Sequence, residues 1–253
     1  MATAWADLSR PVLRDGLHVV RRDDQHLQVG LDPPHRLVLP DRPGLHHALT
    51  HLDRRPPDAL IGLVDELVTD GWVVDAASRP PPRAGTPVAL TVDATVEDHV
   101  VRACAGAGLE RSADAAPHLV VTIGEPSRVL SDALVRDDVC HLWVAVLPGA
   151  VRIGPFVDPG RSACLRCIDA HLGDVDPRRA TVLHQLEGLP TAPTREPDPC
   201  LVQIAVAWAV RDVVRRLDGR PPAVGSATLT VTEDLEVTRQ DWLRHPHCGC
   251  AWG

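Results

Sequence analysis

The chain has 253 residues, 44% of them apolar and 24% charged, enough for one large domain or two smaller ones with cores of their own. A formal charge of −8, with one Phe and no Tyr, argues against a phosphate-neutralising or base-stacking surface and so against nucleic acid as a partner. Every basic residue is Arg, which removes Schiff-base lysine chemistry and the phosphate-loop lysine.

No apolar run is long enough to span a bilayer; the best, Leu201 to Val210, stops at Arg211. The first residues have no basic segment followed by an apolar stretch, so neither a secretion signal nor a membrane partner is expected, and the expected location is cytoplasmic.

Residues 1–77 read as a winged-helix-like unit. Gly16 to Arg21 and Leu27 to Leu31 flank the polar turn Arg22-Asp-Asp-Gln-His, a hairpin pattern. Leu37-Val-Leu-Pro is a third short strand after the turn signal Asp32-Pro-Pro. Leu45, Leu49 and Leu52 share one helical face, as do Leu60, Leu63, Val64, Leu67 and Val68, with Asp58 as expected cap and Gly71 as stop. Trp72-Val-Val-Asp closes the unit as an extended segment. Residues 78–87, which include three consecutive prolines, are expected to be a stiff linker.

Residues 88–253 alternate strand and helix signals. Val88–Val92 is a strand, 96–105 a helix, 118–123 a strand, 127–135 a helix and 141–147 a strand, which predicts a parallel, Rossmann-like sheet. A strand over 151–157, a helix from about Cys200 to Leu217 and strands over 227–231 and 235–239 complete the unit. A nucleotide-binding version needs glycines after the first strand, so that a pyrophosphate can reach the helix N-terminus. Here that turn reads Asp93-Ala-Thr-Val-Glu-Asp, which has no glycine and three carboxylates. Gly106-Ala-Gly108 lies at the far end of the helix and reads as a stop. No Gly-x-Ser-x-Gly elbow is present, so no catalytic residue is assigned.

Seven cysteines remain to be placed. Cys104, Cys140 and Cys200 stand singly in or beside apolar segments and read as small buried hydrophobes. Cys164-Leu-Arg-Cys167 and Cys248-Gly-Cys250 form two tight pairs 80 residues apart, the pattern of a structural zinc site of four thiolates. The glycine lets two close ligands aim at one ion, and Arg161, Arg166 and Arg244 are near enough in sequence to offset its negative charge. A disulfide staple, a redox Cys-x-x-Cys and an iron–sulfur cluster are the competing readings. His245 and His247 flank the second pair as supporting residues or substitute ligands.

Several segments together carry a resemblance: Arg10-Pro-Val-Leu-Arg-Asp-Gly, Leu27-Gln-Val-Gly-Leu-Asp, Ile153-Gly-Pro-Phe-Val-Asp-Pro-Gly-Arg-Ser-Ala-Cys-Leu-Arg-Cys and His245-Pro-His-Cys-Gly-Cys. With them the whole chain resembles the ThiF-like partner proteins of azoline and thiopeptide biosynthesis, a branch of the ubiquitin-activating-like superfamily. The resemblance implies an α/β fold: an N-terminal winged-helix-like peptide clamp, then a truncated Rossmann, ThiF-like domain with a zinc knuckle. It implies a non-catalytic scaffold that binds the leader of a ribosomally made precursor peptide and presents it to a YcaO-type cyclodehydratase. The leader would add as a strand along Arg36, Leu37, Val38 and Leu39, walled by the helix face of Leu60, Leu63, Val64 and Leu67. Acidic leaders would point to Arg21, Arg22 and Arg36 as contacts. One departure is that only one good helix fits between Leu52 and Trp72, where clamps usually place two. The alternatives are an ATP-dependent adenylating or cyclodehydrating enzyme of the ThiF class, and a zinc-dependent transcription factor. Whether the chain is a monomer or a homodimer is open at this stage.

Overall fold

The computed structural model describes residues 4–78, 83–186 and 196–251. The chain divides into two compact units, residues 1–81 and 82–253. Most of the proline run expected to be a linker, residues 79–82, lies outside the described residues.

In the first unit the strands are β1 (Pro11–Leu13), β2 (Val19–Arg21), β3 (His26–Val29) and β4 (Leu37–Pro40). Helices α1 (Leu45–Thr50) and α2 (Asp58–Thr69) follow, and β5 (Val73–Asp75) returns to pair antiparallel with β1. The other three strands form an antiparallel meander in the order β2-β3-β4, the plan expected from the hairpin and turn signals. Alternation sets its two faces. Leu27, Val29 and Leu39 point into a core with Leu45, Leu49, Leu60, Val64 and Leu67, while Val20, Gln28 and Val38 pair across the outer face. Gly30 is required where it stands, at φ +72°, because a Cβ there would lie 1.8 Å from the His35 carbonyl oxygen. Helix α2 differs at its start. Asp58 is its first residue, pairs with Arg55 and caps nothing, the capping position being Pro57. Gly71, at φ +76°, ends it as expected, with Trp72 N–H donating to the Leu67 carbonyl at 2.9 Å.

The second unit begins with β6 (Thr86–Val92), two residues before the expected boundary. Pro87 is tolerated there because β6 pairs only with its neighbour on one side until Ala89. Then come α3 (Glu97–Gly106), β7 (Leu109–Arg111), β8 (His118–Ile123), α4 (Arg128–Arg136), β9 (His141–Leu147) and β10 (Ala150–Val157). Helices α5 (Leu165–Val175), α6 (Arg179–Leu186) and α7 (Pro199–Leu217) precede β11 (Ala227–Thr232) and β12 (Val237–Asp241). The seven strands form one sheet in the order β12-β11-β10-β9-β8-β6-β7.

Only part of this sheet is parallel. Strands β6 to β9 pair in parallel, as the strand–helix alternation predicts, whereas β9 to β12 pair antiparallel. The reason is the connections: Pro148-Gly149 is too short for a crossover, so β10 must fold straight back on β9. One face of the sheet carries Val88, Leu119, Leu142, Ile153 and Leu229 in a core with the apolar sides of α3 and α7. The opposite face carries Val120, Trp143 and Val157 in a smaller core with Leu134, Cys164, Cys167, Trp242 and Cys248.

Among the lone cysteines, Cys104 is buried and its thiol is pushed up to about 11 by burial. Cys140 is half-buried and donates to Asp158 at 3.4 Å. Cys200 departs from expectation, since it is exposed. It is the second residue of α7, after Pro199 and the capping Asp198, ahead of the apolar face that starts at Leu201.

Candidate functional site

Four sulfur atoms from two distant segments meet at the start of α5. Cys164 occupies the capping position of that helix and Cys167 its third residue, so one helical turn brings the two Sγ atoms to 3.8 Å. The tail after β12 supplies the other pair. The Cys248 N–H donates to the His245 carbonyl at 3.0 Å, turning the chain, and Gly249 opens the short helical turn Gly249–Ala251. Cys248 Sγ then lies 3.6 Å from Cys164 Sγ, and Cys250 Sγ lies 3.4 Å from Cys167 Sγ. All four sulfurs lie within 4.8 Å of one another.

The donor set fits a tetrahedral metal ion. A Zn–S bond of about 2.3 Å places the sulfurs of a tetrahedron about 3.8 Å apart, close to the spacings found here. The electrostatics agree. A hydrogen bond from Cys164 and the backbone N–H of His245 both pull the Cys167 thiol well below its ordinary value. Cys164 is pushed up by donating to Cys167 and by its own burial, and Cys250 is pushed up to about 12 by burial and its thiol neighbours. A divalent cation is what would let four neighbouring thiols ionise together. Cys164, Cys167 and Cys248 are buried in the sheet-face core and Cys250 is half-buried, so the centre is closed and suited to a structural role.

The three arginines named for charge balance have partners here: Arg161 faces Asp158, Arg166 bonds Asp132 at 2.8 Å, and Arg244 donates to the Gly160 carbonyl. His245 is buried, and its Nε2 lies 3.0 Å from Asp174.

The residues assigned to a peptide groove separate into two groups. Leu39, Leu60, Val64 and Leu67 are buried in the core of the first unit. Leu37 and Leu63 are half-buried, and Arg36 and Val38 are exposed. Strand β4 is the end of its sheet, so its outer edge is unpaired among the described residues. Arg21 pairs with Asp41 and Arg22 with the Gln28 side chain, and Arg36, just before β4, is exposed.

At the carboxyl ends of the parallel strands, the order β7-β6-β8-β9 places the switch point of the sheet between β6 and β8. The turn out of β6 closes through Asp93, whose carboxylate accepts from Thr95 N–H at 2.9 Å, and the first turn of α3 carries Glu97 and Asp98. The turn out of β8 carries an ionic network that sequence reasoning missed. Arg128 is almost wholly buried and forks onto Asp169 at 2.9 and 2.8 Å while also reaching Glu125. Arg152 bonds both Glu125 oxygens, and Arg179 bonds Asp169. Burial would raise the Glu125 pKa, yet the two guanidiniums outweigh it and hold that carboxyl below the ordinary value.

No protein-family model matches the sequence, and neither does any curated protein sequence. Solved structures do match. The heterocyclase TruD superposes with a TM-score of 0.73 at 18% identity, over 96% of this chain and 42% of that one. MccB of E. coli bound to ATP superposes with a TM-score of 0.63 at 10% identity, over 96% of this chain and 99% of that one. The fold is that of MccB and of part of TruD. A heterocyclase in complex with substrate and cofactor matches over 95% of this chain and 39% of its own, at 16% identity and a TM-score of 0.72. The chain therefore spans about two fifths of the length of the heterocyclases and nearly all of MccB. At these identities the likeness establishes the shared fold. Among the described residues no helix is long and apolar enough to cross a membrane.

Proposed function

We propose that the chain is a non-catalytic scaffold in the biosynthesis of a peptide natural product. Its first unit binds the leader of a ribosomally made precursor peptide, and its second unit, held by a structural zinc ion, docks a YcaO-type cyclodehydratase. The fold supports a place in such a pathway, since similar architectures include heterocyclases and MccB, one structure of which holds MccA. The observation that carries the non-catalytic reading is the turn from β6 into α3. In a fold that MccB shares and for which a complex with ATP is known, this turn has no glycine, and it carries Asp93, Glu97 and Asp98 where a phosphate-binding turn would offer backbone N–H groups.

In this reading the leader adds a strand to the open edge of β4. Main-chain hydrogen bonds supply affinity; Arg36, Val38 and the half-buried Leu37 and Leu63 supply selectivity. Function then comes from effective concentration: a peptide held by one end keeps its other end near a foreign active site. Zinc, bound by Cys164, Cys167, Cys248 and Cys250, would join the tail to α5 and take no part in chemistry.

The test is a titration of labelled leader peptides, encoded beside this chain's gene, with wild-type protein and with Val38→Asp. Saturable binding to one leader, weakened about tenfold or more (about 1.4 kcal/mol or more) in the variant, supports the reading. Binding that Val38→Asp leaves unchanged removes the β4 edge from it. An adenylating enzyme is the second reading, favoured by the near-complete overlap with ATP-bound MccB.

A further inference from the structure

Helix α5 carries more than two thiols on the side that meets the tail. Cys164, Cys167, His171 and Asp174 follow one another at three- and four-residue steps, so they line one helical stripe. The tail runs along that stripe. His171 Nε2 donates to the Leu243 carbonyl at 2.9 Å, His245 Nε2 meets Asp174 Oδ2 at 3.0 Å, and Cys248 and Cys250 lie against Cys164 and Cys167. Two further bonds fix His245 in place. Its Nδ1 accepts from the His247 N–H at 3.2 Å, and its carbonyl accepts from the Cys248 N–H. The His171 ring stands edge-on to it with centroids 4.7 Å apart.

We propose that His245 and Asp174 are positioning residues for the four-cysteine centre: they register the tail on α5, so that Cys248 and Cys250 arrive opposite Cys164 and Cys167 before a metal binds. The proposal rests on the metal-site reading above. Its physical basis is preorganisation. The two thiol pairs are 80 residues apart, and each tail sulfur held in place beforehand is one the metal need not order for itself.

The same three side chains could be read as a second metal site, since ligand atoms of His171, Asp174 and His245 also lie within 4.8 Å of one another. The proton positions favour the clasp. Because Nδ1 of His245 accepts the His247 N–H, the ring proton sits on Nε2 and is donated to Asp174. A metal at Nε2 would need that proton on Nδ1, where the His247 N–H already points.

The experiment measures zinc affinity of the full chain by competition with a chromophoric chelator, zinc content per chain, and the spectrum of the cobalt-substituted protein. Asp174 is largely exposed, so Asp174→Ala leaves the core intact. The clasp predicts an affinity about 10–100-fold lower in Asp174→Ala, with one metal per chain at saturation and an unchanged cobalt–thiolate spectrum. Asp174→Asn keeps an oxygen acceptor for Nε2 and should recover most of the loss, which a change in general stability would not explain. Unchanged affinity in Asp174→Ala overturns the clasp while leaving the four-cysteine site standing. Two ions in the wild type and one in the variant overturn it in favour of a second metal site. A wild type that binds no zinc defeats the metal reading itself, and the clasp with it.

Discussion

Arg128 has a partner for each of its three nitrogens: Asp169 takes Nε and one terminal nitrogen, while Glu125 and the Pro126 carbonyl share the other. Burial opposes its charge, but the bonds to Asp169 and Glu125 outweigh that and raise its pKa. Arg128→Met would leave Asp169 and Glu125 with only Arg179 and Arg152, and should cost about 3 kcal/mol in a denaturant titration. A change below about 1 kcal/mol would show the network to be dispensable. His141, fully buried on β9, is pushed down to about 4 by desolvation, against an ordinary value near 6.5. Between those values the unfolded chain binds a proton that the folded chain refuses. Stability therefore falls as pH drops from about 6.5 to about 4, by an amount on the order of 3 kcal/mol. His141→Leu should flatten that part of the stability–pH curve, and an unchanged slope would assign the loss to other groups.

At the scale of elements, the open edge of β4 and the capped start of α7 make separate predictions. Asp198 accepts from the N–H groups of Cys200 and Leu201, so Asp198→Ala should destabilise the second unit by about 1 kcal/mol, read as a shift in its thermal midpoint. Much of this layer was legible in the sequence. Strands 118–123 and 141–147 have the expected ends, and Ser127 caps α4 through the Leu130 N–H, because short apolar runs bounded by turn residues leave little choice. Other features were not legible. Strand β7 has one buried residue in three and too little pattern to find. Helix α5 was hidden behind its cysteines, which read as metal ligands and say nothing of periodicity. The bend of β10 depends on Gly154, at φ +97°, where a Cβ would lie 2.3 Å from the Ala227 carbonyl oxygen; only the fold reveals that close approach.

For the molecule as a whole, the cysteine pairs were visible because two thiols spaced by one turn have few other uses, whereas their support by Asp174 and His245 needed the tail's path. If zinc closes the centre, removing it with a chelator, or by Cys164→Ser, should destabilise the second unit by several kcal/mol while the first unit, with a core of its own, keeps its transition. A thermal scan in which both survive chelation unchanged would deny the metal a structural role. Zinc competes with protons for four thiols, so its affinity should also fall as pH is lowered. The division of labour between two units, with peptide binding in one and no nucleotide chemistry in the other, is the account's central claim. Its most direct test is fluorescence polarisation of a labelled leader peptide titrated with the chain, in parallel with and without magnesium ATP. Saturable leader binding that is indifferent to ATP, with no nucleotide turnover, is the predicted result. ATP binding or turnover without leader binding would contradict it and establish an adenylating enzyme instead.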